Sequence, residues 1–316
     1  MASSYITDVV VSTDDHEIAK VSKDLGVNVI PFKFSPYFSG IIGRFESHTL
    51  IDISRSGRMN KDLIRLCNDV QPDVLFVWSC MHLKNKTLEV IRNMGVLLIS
   101  YNNDDPFAKR YHELRYIHLR GIWRNFVGNL PYYHLNYVYR KKNIIDYKNR
   151  GVKQVDILPS YYIPLNNFPL HYERGVEFDG VFIGHYEKDE RYSCIKALQD
   201  NGVKVKVYGT GWNKCKEDIN SLLSKTSPVL DSNYNEALNR AHFALCFFSK
   251  LNNDEYTRRV FEIPATKTLL VAQRTKTMSE LYIDGEEAIF FDDEVELVSR
   301  ITALLSHPDK IKSIAE

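Results

Sequence analysis

Short apolar runs alternate with amphipathic stretches along the whole chain. A run of about four to eight β-branched and aromatic residues between turn formers is typical of a buried parallel strand, and an apolar repeat every three or four residues is typical of a helix. In the first half, this pattern predicts strands at residues 8–12, 27–31, 74–78, 96–100 and 155–158. The helices predicted there lie at 13–25, 61–70 and 83–94, and residues 32–58 are predicted to be irregular.

The second half repeats the alternation. Strands are predicted at 179–183, 203–208, 243–248, 268–272 and 288–291, and helices at 192–199, 234–239, 258–265, 277–281 and 295–305. The stretch between the two series is spaced by Pro159, Pro164 and Pro169. We therefore predict an α/β protein with two parallel-sheet domains, residues 1–165 and 166–316. In such sheets ligands bind beyond the carboxyl ends of the strands, so the loops at those ends hold the candidate chemistry.

Composition narrows the class of protein. A length of 316 residues suits two domains, and 44% hydrophobic residues can form sizeable cores. Lys and Arg number 41 against 40 Asp and Glu, so the overall charge gives no argument for a nucleic-acid partner. The five cysteines show no CxxC spacing, which favours reduced thiols in a cytoplasmic protein over a metal site. The N-terminus has no signal-peptide pattern, and no apolar stretch is long enough to cross a bilayer.

The loop after the strand at 179–183 is the first candidate for binding a phosphate. Gly184-His185-Tyr186 puts a glycine where backbone amides can approach an anion, and a helix follows soon after. Arg191 can add a positive charge there. The alternative is an ordinary tight turn between a strand and a helix.

Gly209-Thr210-Gly211-Trp212 has the same position after the next strand. Two glycines give the backbone freedom, and Trp212 offers an apolar plate for a base or a sugar. The alternative is a glycine turn followed by a core tryptophan.

The segment 250–265 carries the strongest candidate chemistry. Lys250, Arg258 and Arg259 can neutralise a diphosphate, and an arginine can grip it with two hydrogen bonds. Glu262 can accept hydrogen bonds from two ribose hydroxyls, because a carboxylate accepts at both oxygens. The alternative is a first helical turn with surface ion pairs. Thr257, in the same segment, is grouped with the donor-binding candidates.

The C-terminal sequence from "RRVFEIPATKTLL" onward resembles the spore-maturation CgeB-like glycosyltransferases. The family pattern Arg-x-Phe-Glu-Ile-Pro-Ala is matched by Arg259, Phe261, Glu262 and residues 263–265. The segments "FDGVFIGHYEKDERYSCIKAL" and "VKVYGTGW" also match, and "QPDVLFVW" and "GVLLISYNNDDPF" are similar to the acceptor-side domain. The resemblance covers roughly residues 60–316.

This resemblance implies a GT-B fold, in which two Rossmann-like domains face a cleft and the C-terminal domain binds a nucleotide-diphosphate sugar. It implies a uracil base and places Glu262 on the donor ribose. Asp254 stands at the earlier position of the fuller Glu-x7-Glu motif, and Lys267 stands where the family usually has Gly. The family usually continues into further helices, so the C-terminal domain is expected to be truncated at its end.

Residues 4–32 resemble instead an internal piece of the acylneuraminate cytidylyltransferases. That family's Gly-rich nucleotide loop would lie upstream of this piece. We interpret the piece as a fused remnant that supplies a strand, a helix and a strand, and not as a second active site.

The mechanism implied is transfer of a sugar from a nucleotide diphosphate to an acceptor hydroxyl. Arg258 or Arg259, together with Lys250, is expected to stabilise the departing diphosphate. No metal ion or other cofactor is expected to be required. Asp104 and Asp105 are candidates for a general base or a ligand of the acceptor hydroxyl. The alternative for this acidic pair before Pro106 is a turn and helix cap. His82 and His112 are weaker candidates.

Basic and aromatic residues are mixed from 109 to 150. One interpretation is a surface for a glycan, lipid-linked or polyanionic acceptor at the inner face of the membrane, and the other is a pair of helices that bury aromatics and expose basic tips. The residues concerned are Arg110, Tyr111, Arg115, Tyr116, Arg120, Trp123, Arg124, Tyr132, Tyr133, Arg140, Lys141 and Lys142.

Two other functions stay open. The first thirty residues point to a nucleotidyltransferase that activates a sugar acid, against which the missing Gly-rich loop argues. Lys267 and the aspartate at 254 are compatible with a non-catalytic module that holds a nucleotide or glycan.

Overall fold

The computed structural model describes residues 8–12, 26–49, 51–114, 117–170, 176–215, 228–230 and 232–316. The chain forms two compact units, Met1–Pro159 and Ser160–Glu316. In each unit the named strands form one sheet with parallel pairing throughout. The predicted α/β class is therefore confirmed. None of the described helices is long and apolar enough to cross a membrane.

The sheet of unit 1 has the strand order β2-β1-β3-β4-β5-β6. Its strands are β1 (Asp8–Ser12), β2 (Asn28–Phe32), β3 (Val74–Trp78), β4 (Leu97–Asn102), β5 (Leu135–Val138) and β6 (Val155–Ile157). β1 pairs with both β2 and β3, so residues 8–12 lie inside the sheet. The sequence pattern missed β5 because its four residues lie within the basic and aromatic stretch. The helix predicted at 13–25 lies outside the described residues.

Among the described residues, five α-helices cover this sheet, and two of them correct the prediction of irregular structure at 32–58. They are α1 (Gly40–Thr49), α2 (Arg55–Val70), α3 (Asn85–Asn93), α4 (Ile117–Asn129) and α5 (Lys141–Lys148). Short 3-10 helices lie at Ser35–Phe38, Lys109–His112 and Leu130–Tyr132. The pattern missed α1 because Ile41, Ile42 and Phe45 are exposed to solvent, and no apolar stripe marks its packed side.

The start of α2 depends on a residue from α1. Glu46 is buried, and its carboxylate accepts hydrogen bonds from the backbone amides of Ser54, Arg55 and Ser56 at 2.8–3.0 Å. These amides belong to the first turn of α2, where no carbonyl of the same helix is available. The negative charge also suits the positive end of the helix dipole. Burial alone would raise the pKa of Glu46, but the three amide hydrogen bonds hold it below its usual value.

The aromatic residues between 109 and 150 mostly pack inward. Trp123, Phe126, Tyr133 and Tyr147 are all buried, which agrees with the packing interpretation of this stretch. Arg115 and Tyr116 lie outside the described residues, as do the side chains of Arg110 and Arg120. Arg140 is buried as well, and its Nη1 donates to the carbonyl of Asn103 at 2.8 Å.

His82 gives unit 1 a dependence on pH. Its ring is buried against Phe38, with ring centroids 4.0 Å apart, and burial lowers its pKa to about 4 despite the nearby carboxylate of Glu46. The unfolded chain takes up this proton near pH 6.5, so the stability contributed by neutral His82 is complete above that pH. It falls as the pH drops towards 4, by about 3 kcal/mol in total.

We expect His82→Phe to remove this acid sensitivity. Denaturant unfolding at a series of pH values between about 6.5 and 4 measures the slope, and hydrogen exchange of β3 amides assigns it to unit 1. His307→Gln, at an exposed histidine in unit 2, is the control and should keep the parental slope. Equal slopes for the parent and His82→Phe would contradict the expectation.

The sheet of unit 2 has the strand order β11-β10-β9-β7-β8. Its strands are β7 (Phe178–Ile183), β8 (Val205–Tyr208), β9 (Ala241–Cys246), β10 (Leu269–Gln273) and β11 (Ile289–Phe291). Its helices are α6 (Arg191–Asp200), α7 (Ser232–Asn239), α8 (Arg259–Ala265), α9 (Lys276–Leu281), α10 (Glu294–Leu305) and α11 (Pro308–Ala315). Each strand predicted in this half is present, with ends that differ by one to a few residues.

The core of unit 2 lies between this sheet and its helices. Phe182, Trp212, Phe247 and Phe291 form a chain of ring contacts within it, with centroids 5.3–6.0 Å apart. The Pro-spaced segment before β7 belongs to this unit, because Phe168 exchanges two 3.1 Å hydrogen bonds between its backbone and the side chain of Asn235. The core holds β7 and β9 side by side and so fixes where their loops emerge.

Candidate functional site

The strand order of unit 2 places its candidate site. β7 is flanked by β8 on one side and β9 on the other, so the chain reverses its winding direction between β7 and β9. In open α/β sheets the loops at such a switch point diverge and leave a crevice for ligands. The loops concerned are those after β7 and β9, which contain the first and third predicted segments.

The loop after β7 is held by a buried ion pair. Arg191, 3% exposed, donates to both carboxylate oxygens of Asp189 at 2.7 and 2.8 Å and to the carbonyl of His185 at 2.6 Å. These contacts occupy the guanidinium in shaping the loop. The prediction that Arg191 adds charge to a bound anion is therefore replaced by a structural role.

The backbone of Gly184 and Tyr186 is also engaged. Their amides donate to the carbonyls of Tyr208 and Thr210, each at 2.9 Å, so the loops after β7 and β8 are joined. These two amides therefore serve loop packing, and the phosphate contact of this turn stays a prediction. His185 stays exposed, with its Nε2 2.8 Å from a carboxylate oxygen of Glu187.

The loop after β8 packs equally closely. Trp212 is buried in the core, and its Nε1 donates to the carbonyl of Gly184 at 3.0 Å. The structure therefore corrects the prediction of an exposed plate for a base or sugar and supports the alternative of a core tryptophan. A Cβ on Gly209 would lie 2.0 Å from that same carbonyl oxygen, and Gly211 has a φ of 78°.

Lys250 connects the loops after β7 and β9. Its ammonium group forms an ion pair with Glu190, whose other oxygen accepts from the amide of Gln273 at 2.5 Å. Burial alone would raise the pKa of Glu190, but the hydrogen bond and charge of Lys250 hold it below its usual value. Lys250 is exposed, so it can exchange this carboxylate for a phosphate only at the expense of the ion pair.

The segment between Lys250 and α8 folds back on β9. The amide of Asp254 donates to the carbonyl of Ser249 at 3.0 Å, and Asn253 has a left-handed backbone with a φ of 51°. The hydroxyl of Thr257 lies 3.5 Å from the buried Sγ of Cys246, at the end of β9. Asp254 and Thr257 are thus tied by this turn and by the strand end.

Glu262 is the centre of the site that this turn builds. It is 9% exposed, and its Oε2 accepts a 2.8 Å hydrogen bond from the hydroxyl of Tyr234 on α7. Its Oε1 forms a 2.6 Å ion pair with Arg258, whose guanidinium also lies 5.0 Å from the ring centroid of Tyr161. Burial and the adjacent carboxylate raise the pKa of Tyr234 well above its ordinary value, so this residue is a hydrogen-bond donor at neutral pH.

Arg259 differs from the other cations of the segment. It is half-buried at the first residue of α8, and within the described residues it has no ion pair. Its charge acts on the buried Tyr234 and Cys246 and opposes the rise in the pKa of both groups. Arg258 and Lys250 are paired with acids, so Arg259 contributes a positive charge that no described side chain neutralises.

The Phe-Glu-Ile-Pro-Ala motif shapes α8 in a specific way. Pro264 has no amide hydrogen, so the carbonyl of Val260 loses its helical partner. The hydroxyl of Tyr282 donates to that carbonyl at 2.8 Å and so replaces the missing amide donor. Lys267 follows with a φ of 58°, a left-handed conformation for which the family's glycine is suited. The turn is therefore kept although the residue differs.

The acidic pair of unit 1 divides into two environments. Asp105 is fully buried, and its carboxylate accepts from Lys142, Asn143 and the amide of Phe107 at 2.9–3.2 Å. This agrees with the turn and cap alternative and removes Asp105 as a general base. Asp104 is half-buried, its backbone exchanging hydrogen bonds with the side chain of Asn102.

The sequence pattern missed two groups of residues at these sites. Tyr234 precedes Glu262 by 28 positions, and nothing in its surroundings marks it as a partner of that carboxylate. In unit 1, Trp78, Ser79 and Asn103 meet at the carboxyl ends of β3 and β4, where the indole donates to the amide oxygen of Asn103 at 3.2 Å. Within the described ranges, no group of three His, Cys, Asp or Glu side chains is placed to hold a metal ion.

Residues 191–316 match a family model described as glycosyl transferase-like. The matched part contains Lys250, Tyr234, Arg258, Arg259 and Glu262. Comparison with curated proteins gives no match.

Solved structures similar to the chain over nearly its full length were also found. HepE of Anabaena, in a complex with UDP and glucose, has a TM-score of 0.63 and 12% identity, over 99% of this chain and 93% of that one. The sucrose-phosphate synthase of Thermosynechococcus elongatus has a TM-score of 0.66 and 9% identity, over 98% and 92%. A glycosyltransferase from Rickettsia africae has a TM-score of 0.62 and 13% identity, over 99% and 92%.

The fold is therefore of the GT-B class, as the sequence predicted, and the C-terminal part of unit 2 is similar to a glycosyl transferase-like family model. At these identities the solved structures define the fold alone.

Proposed function

We propose that this protein transfers a sugar from a nucleotide-diphosphate sugar, with uracil as its base, to a hydroxyl of a glycan or lipid-linked acceptor. The observation that carries the proposal is the pairing of a half-buried Arg259, without an acidic partner among the described residues, with the buried Glu262–Tyr234 hydrogen bond. A cation without a counter-ion beside a carboxylate suits a ligand that has both an anion and neutral hydroxyls. A nucleoside diphosphate is such a ligand.

In this proposal Arg259 binds the diphosphate and neutralises the charge that develops on it as the sugar leaves. Such preorganised charge is usually the largest catalytic contribution. Glu262 accepts hydrogen bonds from the ribose, and Tyr234 fixes the orientation of the carboxylate. In the absence of a ligand, Arg258 is ion-paired with Glu262 and Lys250 with Glu190. Each of these cations can therefore assist only after its ion pair breaks. No step requires a metal ion in this scheme.

UDP is also present in the HepE complex, and it is therefore the first ligand to test. Thermal unfolding with UDP, GDP and CMP and their sugars measures binding, since a ligand at about 100 times its Kd stabilises by about 2.7 kcal/mol. Release of UDP from a UDP-sugar in the presence of a glycan acceptor measures turnover. Binding without turnover would support the non-catalytic module, and pyrophosphate release from CTP with a sugar acid would support the cytidylyltransferase.

We expect Glu262→Gln to raise the Kd for UDP about tenfold, because a hydrogen bond to a charged acceptor is worth about 1.5–3 kcal/mol and the amide keeps only part of it. The amide oxygen still accepts from Tyr234, so the fold should be kept. Glu286→Gln, at an exposed glutamate of the same unit, is the control. Titration calorimetry gives both constants, and an unchanged Kd in Glu262→Gln would remove Glu262 from the donor site.

A further inference from the structure

The helix that the sequence pattern missed has an unusual surface. Ile41, Ile42 and Phe45 lie on one side of α1 and are 83%, 48% and 46% exposed, and Ile51 and Ile53 after the helix are more than half exposed. We call these five residues the α1 patch. Large apolar side chains grouped on a surface mark a contact with a partner or a membrane more often than isolated ones do.

The opposite side of α1 is fixed to the unit. A Cβ on Gly43 would lie 2.4 Å from the backbone of Phe38, so the helix packs closely against the preceding turn. Glu46 caps α2 from the same side. The α1 patch is therefore held outward by two buried contacts.

A groove with an excess of positive charge adjoins the patch. It lies between α2 and α3, encloses about 850 Å³ and includes Ile53 in its lining. Five cations line it, namely Arg58, Lys61, Arg65, Lys84 and Lys86, and we call this the basic groove. Its two acids are already engaged, since Asp52 accepts from Lys84 and from the amide of Gly57, and Asp62 accepts from the hydroxyl of Tyr37.

The excess is local to this surface. Counted over the part of the chain that the structure describes, five cations face two acids in the basic groove, whereas the whole chain has a formal net charge of +1. Among the described residues, Arg58, Lys61 and Lys86 have no ion pair, so their charges are available to an anion. Both α2 and α3 begin at the carboxyl end of the sheet, which places this groove beside the start of α2 that Glu46 caps.

We propose that the α1 patch and the basic groove together dock unit 1 on an anionic lipid bilayer. The apolar side chains enter the boundary between headgroups and acyl chains, and the groove binds lipid phosphates. Exposed apolar residues beside Lys and Arg are the combination that an anionic membrane surface attracts. A soluble phosphate or a nucleic acid would use the cations but would leave the five apolar side chains in water.

The surface differs from the predicted contact through residues 109–150, where the aromatic side chains are mostly buried. It is also independent of the proposed sugar transfer, because vesicle binding is measured without donor or acceptor. Failure of one proposal therefore leaves the other standing.

Co-sedimentation of the full chain with vesicles tests the docking surface. We expect binding to vesicles of mixed phosphatidylglycerol and phosphatidylcholine, and weak binding to phosphatidylcholine alone. Lys61→Gln/Lys86→Gln should lower the partition about 25-fold, since each cation near an anionic surface contributes about fivefold. Lys153→Gln/Lys204→Gln changes the net charge equally at exposed sites elsewhere and should bind as the parent does.

Ile41→Ser/Phe45→Ser tests the apolar part and should lower the partition at least about tenfold. Leu165→Ser/Val295→Ser removes two exposed apolar side chains outside the patch and serves as the control. Equal loss in both control and patch variants, or no binding of the parent to anionic vesicles, would overturn the proposal. So would a dimer in sedimentation velocity that Ile41→Ser/Phe45→Ser dissociates, because the patch would then join two copies of the chain.

Discussion

Replacing Arg259 with Gln is expected to lower kcat/KM for sugar transfer by about 10²–10³-fold, the loss typical of removing a group that stabilises charge in the transition state. The loss should be large because no described neighbour can take over this charge. Arg258 is held by Glu262 and Lys250 by Glu190. Either cation would therefore have to break its ion pair, and leave its carboxylate unpaired, before it could replace the charge of Arg259.

Whether the substitution changes kcat or KM distinguishes two possible roles of Arg259. If it stabilises the leaving diphosphate, kcat falls with little change in KM, whereas contact with the bound donor alone raises KM. Arg259→Lys keeps the charge but loses the two-pronged geometry, so it should recover part of the rate. Arg240→Gln, which breaks exposed ion pairs with Glu177 and Glu236, is the control. Activity of Arg259→Gln within about twofold of the parent would contradict this role.

Gly209→Ala is expected to lower the free energy of unfolding of unit 2 by about 3–5 kcal/mol, combining overpacking with backbone strain. Gly209 has a φ of 141°, and an added Cβ would lie 2.0 Å from the carbonyl oxygen and 2.6 Å from the carbonyl carbon of Gly184. Both atoms are backbone and cannot rotate away. The loops after β7 and β8 would have to separate and lose the hydrogen bonds of Gly184 and Tyr186.

Gly202→Ala separates strain from crowding. Gly202 has a φ of 83°, but nothing lies within 4 Å of an added Cβ, so only the backbone cost of about 1–2 kcal/mol applies. Denaturant unfolding of both variants measures the difference. If Gly209→Ala is no less stable than Gly202→Ala, the result contradicts the close approach of the loops after β7 and β8.

Much of the fold follows from local patterns. The strands of unit 2 are continuous apolar runs because both faces of a parallel sheet are covered, so β7 and β9 are visible in the sequence. The same pattern fails for α1 and β5. α1 exposes its apolar side chains, which reverses the usual rule, and β5 lies within the basic and aromatic stretch, so no apolar run marks it.

The candidate site was predicted unevenly for a physical reason. Glu262 lies in one short segment with Lys250 and the pair 258–259, so residue type and spacing were enough to propose these residues but not to choose between the two arginines. Arg191 and Trp212 have residue types suited to a ligand, but the structure gives their polar atoms to Asp189 and to the carbonyl of Gly184. Residue type states what a side chain can bind, and packing decides what it does bind.

By itself, the sequence determined the alternation of strands and helices and the two α/β series, and it proposed the arginines and the glutamate of the segment 250–265, because each depends on residues close together in the chain. Only the tertiary structure decided that Tyr234 serves Glu262, that Arg259 has no acidic partner among the described residues, and that Asp105 is a buried cap. Those outcomes depend on side chains from different helices meeting in space. Sequence distance carries no information about such meetings.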